Sequence, residues 1–152
     1  MGALEATTKD WTPLYAYARD YDTPVVLTAE VVHGFKRGSK ELGIPTANLS
    51  MTDLAEQGKT LDTGIYYGTA ELKGAVYQTV VSVGWNPFYK NVEKTIEAHL
   101  LQEMEDFYGE QIKVTLLGYL RAEADFNGLD DLISCIRSDI ELTKRKLAES
   151  SS

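Results

Sequence analysis

Gly64-Ile65-Tyr66-Tyr67-Gly68-Thr69-Ala70-Glu71-Leu72-Lys73-Gly74-Ala75-Val76-Tyr77-Gln78-Thr79-Val80-Val81-Ser82-Val83 decides the fold. Gly64 to Leu72 and Ala75 to Val83 are rich in β-branched and aromatic residues, and Lys73-Gly74 between them is a two-residue turn. That is the pattern of a β-hairpin. Outward from it, Val25 to Val32 reads as an earlier strand and Gln111 to Leu120 as a later one, the latter preceded by the turn residue Gly109. Leu49 to Asp62 is polar and reads as a loop or one short helix. Gly84 to Asn91 reads as a loop.

The carboxy-terminal part changes period. Leu129, Leu132, Ile133, Ile136 and Ile140 recur at helical spacing, with Leu147 further along the same face. Asn127 is the expected N-cap, Asp130 and Asp131 fall in the first turn, and Lys144, Arg145 and Lys146 are expected in the last. Cys135, between apolar positions, reads as an inert buried thiol. Strands followed by one amphipathic helix predict a β-dominated fold, a small antiparallel barrel with that helix packed on it. The expected boundaries are an amino-terminal extension over 1–24, partly ordered by Trp11, Tyr15 and Tyr17, a domain over 25–149, and a polar tail over 150–152.

Glu93 to Met104 is ambiguous. Ile96, Leu100 and Met104 fit a helix. As a strand, Ile96, Ala98 and Leu100 face the core and Thr95, Glu97 and His99 share the opposite face. Pattern alone leaves both readings open.

The chain has 152 residues, enough for one domain with its own core. Its net charge of −8 argues against broad nucleic-acid binding. A single cysteine rules out an internal disulfide, and two histidines make a His/Cys zinc site a poor expectation. No apolar run is long enough for a membrane-spanning helix, and the first residues carry no secretory signal, so the expectation is a cytoplasmic protein without membrane or nucleic-acid partners.

Gly34-Phe-Lys-Arg-Gly-Ser-Lys-Glu-Leu-Gly-Ile-Pro-Thr-Ala-Asn48 follows the first strand. Gly34, Gly38 and Gly43 free the backbone, and Lys36, Arg37 and Lys40 concentrate positive charge. Thr46 and Asn48 supply neutral oxygens after Pro45. These are the requirements of a polyphosphate with its magnesium. The spacing is neither a P-loop nor a dinucleotide fingerprint, and composition alone fits a solvent-exposed turn equally well.

The same stretch resembles the signature loop of the riboflavin kinases. Thr63 to Gly68, Ser82 to Pro87 with Tyr89-Lys90-Asn91, Glu97 to Leu100, Glu105 to Gly109 and Gly118 to Arg121 continue the resemblance in order, from about Ala29 to Leu147. It implies a Greek-key barrel with a carboxy-terminal helix, a strand over Glu93 to Met104, and transfer of the γ-phosphoryl of ATP to the 5′-hydroxyl of riboflavin to give FMN and ADP. It further implies ATP binding by Gly34, Lys40, Thr46 and Asn48, with Thr46 and Asn48 also holding Mg²⁺ (Zn²⁺ and Mn²⁺ being the alternative divalent ions), and Glu97 as general base. Flavin contacts are expected from Arg121, Trp85, Tyr89 and His99, and the protein is expected to be a monomer without FAD synthesis. Gly34 to Lys40 and Trp85 to Asn91 are the expected mobile flaps.

Each assignment has a plainer alternative: a solvated carboxylate for Glu97, a hydrogen-bonded structural imidazole for His99, turn caps for Thr46 and Asn48, a surface ion pair for Arg121, and core or loop anchors for the aromatics. Lys36 departs from the family, which more often has glycine there. The segment between Leu101 and Glu105 is about one residue short of the family's length.

Overall fold

The computed structural model describes residues 10–32, 44–85, 94–102 and 109–150. Among these, six antiparallel strands close into a barrel in the order β1-β2-β5-β4-β3-β6. They are β1 Arg19–Val32, β2 Thr46–Leu49, β3 Gly64–Leu72, β4 Ala75–Trp85, β5 Lys94–Leu100 and β6 Gln111–Arg121. A helix α1, Met51–Thr60, follows β2, and a long helix α2, Leu129–Ser150, ends the chain. Strands β3, β4 and β5 are sequential neighbours, and β6 returns to pair with β3. That is the Greek-key connection.

The Lys73-Gly74 turn forms as expected. Both residues have positive φ, 52° and 81°, the left-handed pair that a two-residue hairpin of matching twist requires. Strand β1 starts at Arg19, ahead of Val25, so the end of the expected extension is part of the barrel. Its pairing with β6 shifts register between Asp20 and Val25, and Pro24 lies in that irregularity, where its missing N–H breaks no ladder bond. Residues 46–49, read from sequence as part of a loop, form β2 with all four residues buried. Leu49 to Asp62 resolves into α1, capped by the Ser50 hydroxyl accepting from the Asp53 N–H at 3.2 Å and interrupted at Ala55, where φ is 51°.

The barrel interior is filled by alternate residues of every strand: Leu27, Ala29 and Val31 from β1, Val81 and Val83 from β4, Ile96, Ala98 and Leu100 from β5, and Ile112, Val114 and Leu116 from β6. Ala47 and Ala98 are direct partners across β2 and β5, both fully buried. At Gly68 the backbone of β6 comes so near that any Cβ would collide with the Thr115 carbonyl.

Helix α2 covers the outer face of β3 and β4, where Ile65, Tyr67, Val80, Leu120 and Leu147 form a second core. Its buried seam is Cys135, Asp139, Thr143 and Leu147, of which only Leu147 belongs to the predicted stripe. Leu132, Ile136 and Ile140 are only partly buried, and Leu129 is half exposed. Cys135 is buried as expected, and burial pushes its thiol up to about 11. Two end assignments are corrected. The Leu132 N–H bonds the Gly128 carbonyl, which places the first helical turn on Gly128 and not on Asn127. The helix also continues past Lys144, Arg145 and Lys146, so no basic residue lies in its last turn.

Asp139 meets Arg121 from the end of β6. Arg121 donates from Nε to Oδ1 and from Nη2 to Oδ2, both at 2.8 Å, and both side chains are almost fully buried. A paired, bidentate geometry is what makes burial of two charges tolerable. The ion pair given as the plainer alternative for Arg121 exists, but in the interior and not on the surface.

Two stability outcomes follow. Gly68→Ala is expected to destabilise by more than about 2 kcal/mol, whereas Gly74→Asn, with open space around it and a turn conformation that Asn tolerates, changes stability by less than about 1 kcal/mol. Asp139→Ala leaves the Arg121 charge buried without its partner and is expected to cost about 3–5 kcal/mol. Urea unfolding of the three variants checks both, and a Gly68→Ala protein as stable as Gly74→Asn contradicts the close-approach argument.

Candidate active site

Strand alternation on β5 generates the site. With Ile96, Ala98 and Leu100 inside the barrel, Glu97 and His99 project from its outer face. Strand register then builds a row across the sheet: Asn48 on β2 pairs with Glu97, Glu97 with Ser82 on β4, Ser82 with Ile65 on β3, and Ile65 with Arg121 on β6. The adjacent row sets Thr46 opposite His99 and His99 opposite Val80. The strand reading of Glu93 to Met104 is therefore the correct one over Lys94–Leu100.

Between this outer face and α2 lies a cleft of about 220 Å³. Its floor is Ile65, Val80, Ser82, Glu97, His99 and Arg121. Its far wall is Glu123, Ala124, Phe126, Leu132, Ile136, Asp139 and Ile140, and Ile44 closes one side. Leu132 and Ile136 are half-buried because they line this cleft, and Ile140 lies where the cleft meets the second core. The lining combines a broad apolar surface with the carboxylates Glu97 and Glu123 and the Ser82 hydroxyl. Such a cleft suits a ligand with a flat apolar body and hydroxyl donors.

Burial tunes the two titrating groups on β5. It raises the Glu97 carboxyl to about 7 and lowers the His99 imidazole to about 4. A carboxylate poised near neutrality is suited to exchange a proton with a substrate hydroxyl, and the imidazole is neutral at physiological pH. Its Nδ1 lies 3.1 Å from Thr46 Oγ1. Asn48 is buried, and its Nδ2 has no hydrogen-bond partner among the described residues. A buried amide left unpaired costs about 1–3 kcal/mol and points to a missing acceptor.

Glu97, Thr46, Asn48, His99 and Arg121 are therefore brought together on one face. Arg121 lines the cleft, but both of its Asp139-facing nitrogens are engaged. Trp85 does not line the cleft. It sits half exposed at the strand end, with Lys94 Nζ 5.3 Å from its ring centroid. Gly34, Lys40 and Tyr89 lie outside the described residues, as do Lys36, the Gly34 to Lys40 flap, the Asn86 to Asn91 part of the other flap and Glu105. Sequence reasoning missed Ser82, Phe126 and Asp139. Asp139 had a signal, being an acidic residue flanked by Ile136 and Ile140 at helical spacing. Phe126 had none.

Comparison with known proteins agrees with this geometry. The family model described as flavokinase, riboflavin kinase, matches residues 21–147. A riboflavin kinase of Mus musculus is 49% identical over 126 residues, covering 82% of this chain and 81% of the relative. The crystal structure of riboflavin kinase from Trypanosoma brucei superposes with a TM-score of 0.60 at 28% identity, covering 82% of this chain and 80% of that one. A crystal structure described as a macrolide-efflux protein from Streptococcus pneumoniae superposes with a TM-score of 0.64 at 28% identity, but this chain spans only 39% of it. With a matched region that contains every strand residue of the cleft, the chain belongs to the flavokinase family, the riboflavin kinases.

Proposed function

We propose that this chain transfers the γ-phosphoryl group of ATP to the 5′-hydroxyl of riboflavin in the cleft between β3–β6 and α2, with Glu97 as the base. The observation that carries the reading is Glu97 itself, a half-buried carboxyl raised to about pKa 7 that lines the apolar cleft and is paired in register with Asn48, whose Nδ2 has no partner among the described residues. The isoalloxazine ring fits the apolar wall of Ile65, Val80, Phe126, Ile136 and Ile140. The ribityl chain fits the side bearing Ser82 and Glu97.

Phosphoryl transfer relies on positioning and charge neutralisation. Thr46 and Asn48 are neutral oxygen donors two residues apart on one face of β2, and no cluster of three or more His, Cys, Asp or Glu occurs among the described residues. This donor set fits Mg²⁺, or another hard divalent ion, whose charge is balanced by the nucleotide phosphates. When bound, the cation would neutralise charge on those phosphates. The neutral His99 ring, its Nδ1 within hydrogen-bond distance of the Thr46 hydroxyl, would hold that oxygen in place beside the cation. Asn48 offers its Oδ1 to the cation and its unpaired Nδ2 to a phosphoryl oxygen. Glu97 accepts the proton of the attacking hydroxyl, and the apolar α2 wall excludes water from the transfer. Gly34 and Lys40 are proposed to contact the ATP phosphates and Tyr89 the flavin, on the strength of the resemblance. Arg121 is proposed to support the flavin side through its guanidinium edge, and His99 to act through Thr46.

No described helix is long and apolar enough to cross a membrane. A cytoplasmic monomer without nucleic-acid partners is the accompanying proposal.

Conversion of riboflavin to FMN with ATP and Mg²⁺, followed by chromatography, tests the reading. Turnover is expected, and Glu97→Gln is expected to lower kcat roughly 10²-fold or more while ATP still binds. Absence of FMN across several divalent metals would leave a flavin-binding module as the account. Because Glu97 must be ionised, kcat/KM for riboflavin is expected to fall as pH drops below about 7. A flat profile between pH 5.5 and 8, values of the order set by that pKa, removes Glu97 as base. Stability runs the other way. The folded pKa of Glu97 is raised, so its favourable contribution is fully present below the unfolded value near 4.5 and is lost as pH rises through about 7. Glu97→Gln is therefore expected to raise Tm relative to wild type above pH 7 and to leave it unchanged below pH 4.5. Thr46→Ala is expected to raise the metal concentration needed for half-maximal activity, and superimposable metal titrations would remove Thr46 as a ligand.

A further inference from the structure

The segment ahead of β1 is tied to the cleft's far wall. Thr12–Tyr15 forms one 3₁₀ turn. From it the Tyr15 hydroxyl donates to Asp139 Oδ1 at 2.7 Å and lies 3.0 Å from Ser138 Oγ. Just before it, Trp11 Nε1 donates to Ser134 Oγ at 2.9 Å, and the Trp11 ring meets the Phe126 ring edge-on, with centroids 5.7 Å apart. Asp139 also holds Arg121, whose guanidinium carbon lies 6.0 Å from the Phe126 centroid. Phe126, Asp139 and Arg121 all line the cleft. Tyr17, by contrast, is 83% exposed.

We propose that Trp11 and Tyr15 are positioning residues for riboflavin, forming a strap that holds Phe126, Asp139 and the α2 wall at the spacing the flavin ring requires. The strap lies ahead of the region that the family model matches, residues 21–147. The geometry separates its effect from the phosphate side. Thr46, Asn48 and Glu97 are placed by the β2–β5 register, whereas the strap's hydrogen bonds and ring contact go to Phe126, Ser134, Ser138 and Asp139 on the 122–128 connection and α2. The Trp11 ring in edge-on contact with Phe126 restricts the positions that the Phe126 ring can take. The Tyr15–Asp139 bond orients the carboxylate that in turn holds Arg121.

The proposal rests on the assignment of this cleft to riboflavin, and its test separates the two. Riboflavin affinity is read by quenching of flavin fluorescence without nucleotide, and KM values for riboflavin and ATP are measured with kcat. Trp11→Ala and Tyr15→Phe are expected to raise the riboflavin Kd and KM on the order of tenfold, with kcat and the ATP KM changed by less than about twofold. Trp11→Phe keeps a ring against Phe126 and is expected to retain most of the affinity. Tyr17→Ala is expected to match wild type. Should Trp11→Ala not fold, Tyr15→Phe, which deletes one oxygen atom, carries the test. Ile136→Trp, which fills the cleft, is expected to abolish riboflavin binding. If it does so while folded Trp11→Ala and Tyr15→Phe bind riboflavin as wild type does, the strap has no positioning role. A parallel loss in kcat, both KM values and Tm also overturns the proposal, because it marks general destabilisation. If Ile136→Trp binds riboflavin normally, the cleft assignment falls and the strap proposal falls with it.

Discussion

The alternation of β5 is the constraint on which the rest depends. Ile96, Ala98 and Leu100 are fully buried inside the barrel, and Ala98 pairs with the equally buried Ala47. A slip of one residue would drive Glu97 and His99 into that interior. The apolar residues therefore fix the orientation of the polar ones. Because β2 and β4 pair with β5 in register, Thr46, Asn48 and Ser82 arrive beside Glu97 and His99 without any device of their own. The site is a consequence of barrel closure.

The outer face and α2 complete the arrangement in different ways. The sheet supplies placement to within strand register. The helix supplies an apolar wall, and it is held at two ends of its character: Leu147 packs into the second core, and Asp139 is locked to Arg121 by two hydrogen bonds. Ahead of and beside the Asp139 anchor, Leu132, Ile136 and Ile140 line the cleft. Within it, the costs of function are visible. A carboxyl is held where burial opposes its charge, and an amide nitrogen is held where no described group accepts its hydrogen bond. Unpaid polar groups of this kind collect where a ligand is meant to complete them.

Much of this was legible in the sequence, for reasons that differ by element. The β3–β4 hairpin was legible because its turn pair and β-branched runs agree locally. The strand β5 was not, since seven residues with apolar positions at 96, 98 and 100 also satisfy a helical spacing with Met104, and only the resemblance favoured the strand. Thr46 and Asn48 were recognised as functional but placed in a loop, because a four-residue strand after Pro45 is too short to show a period. The α2 stripe was read as packing. The helix turns Cys135, Asp139 and Thr143 inward and gives part of the apolar stripe to the cleft, a distinction that hydrophobicity alone does not carry. Arg121 was visible as a cation at a strand end, but its partner Asp139 lies on another element, and pairing at that separation has no signature in one sequence.

The most direct measurement is a crystal structure of the full chain with riboflavin, ADP and Mg²⁺. The account predicts the isoalloxazine ring against Phe126, Ile136 and Ile140, with the ribityl 5′-hydroxyl within about 3 Å of the Glu97 carboxylate. It also predicts Asn48 and Thr46 turned toward the cation and the phosphates. A flavin seated elsewhere on the barrel, or one in the cleft with its 5′-hydroxyl directed away from Glu97, would contradict it.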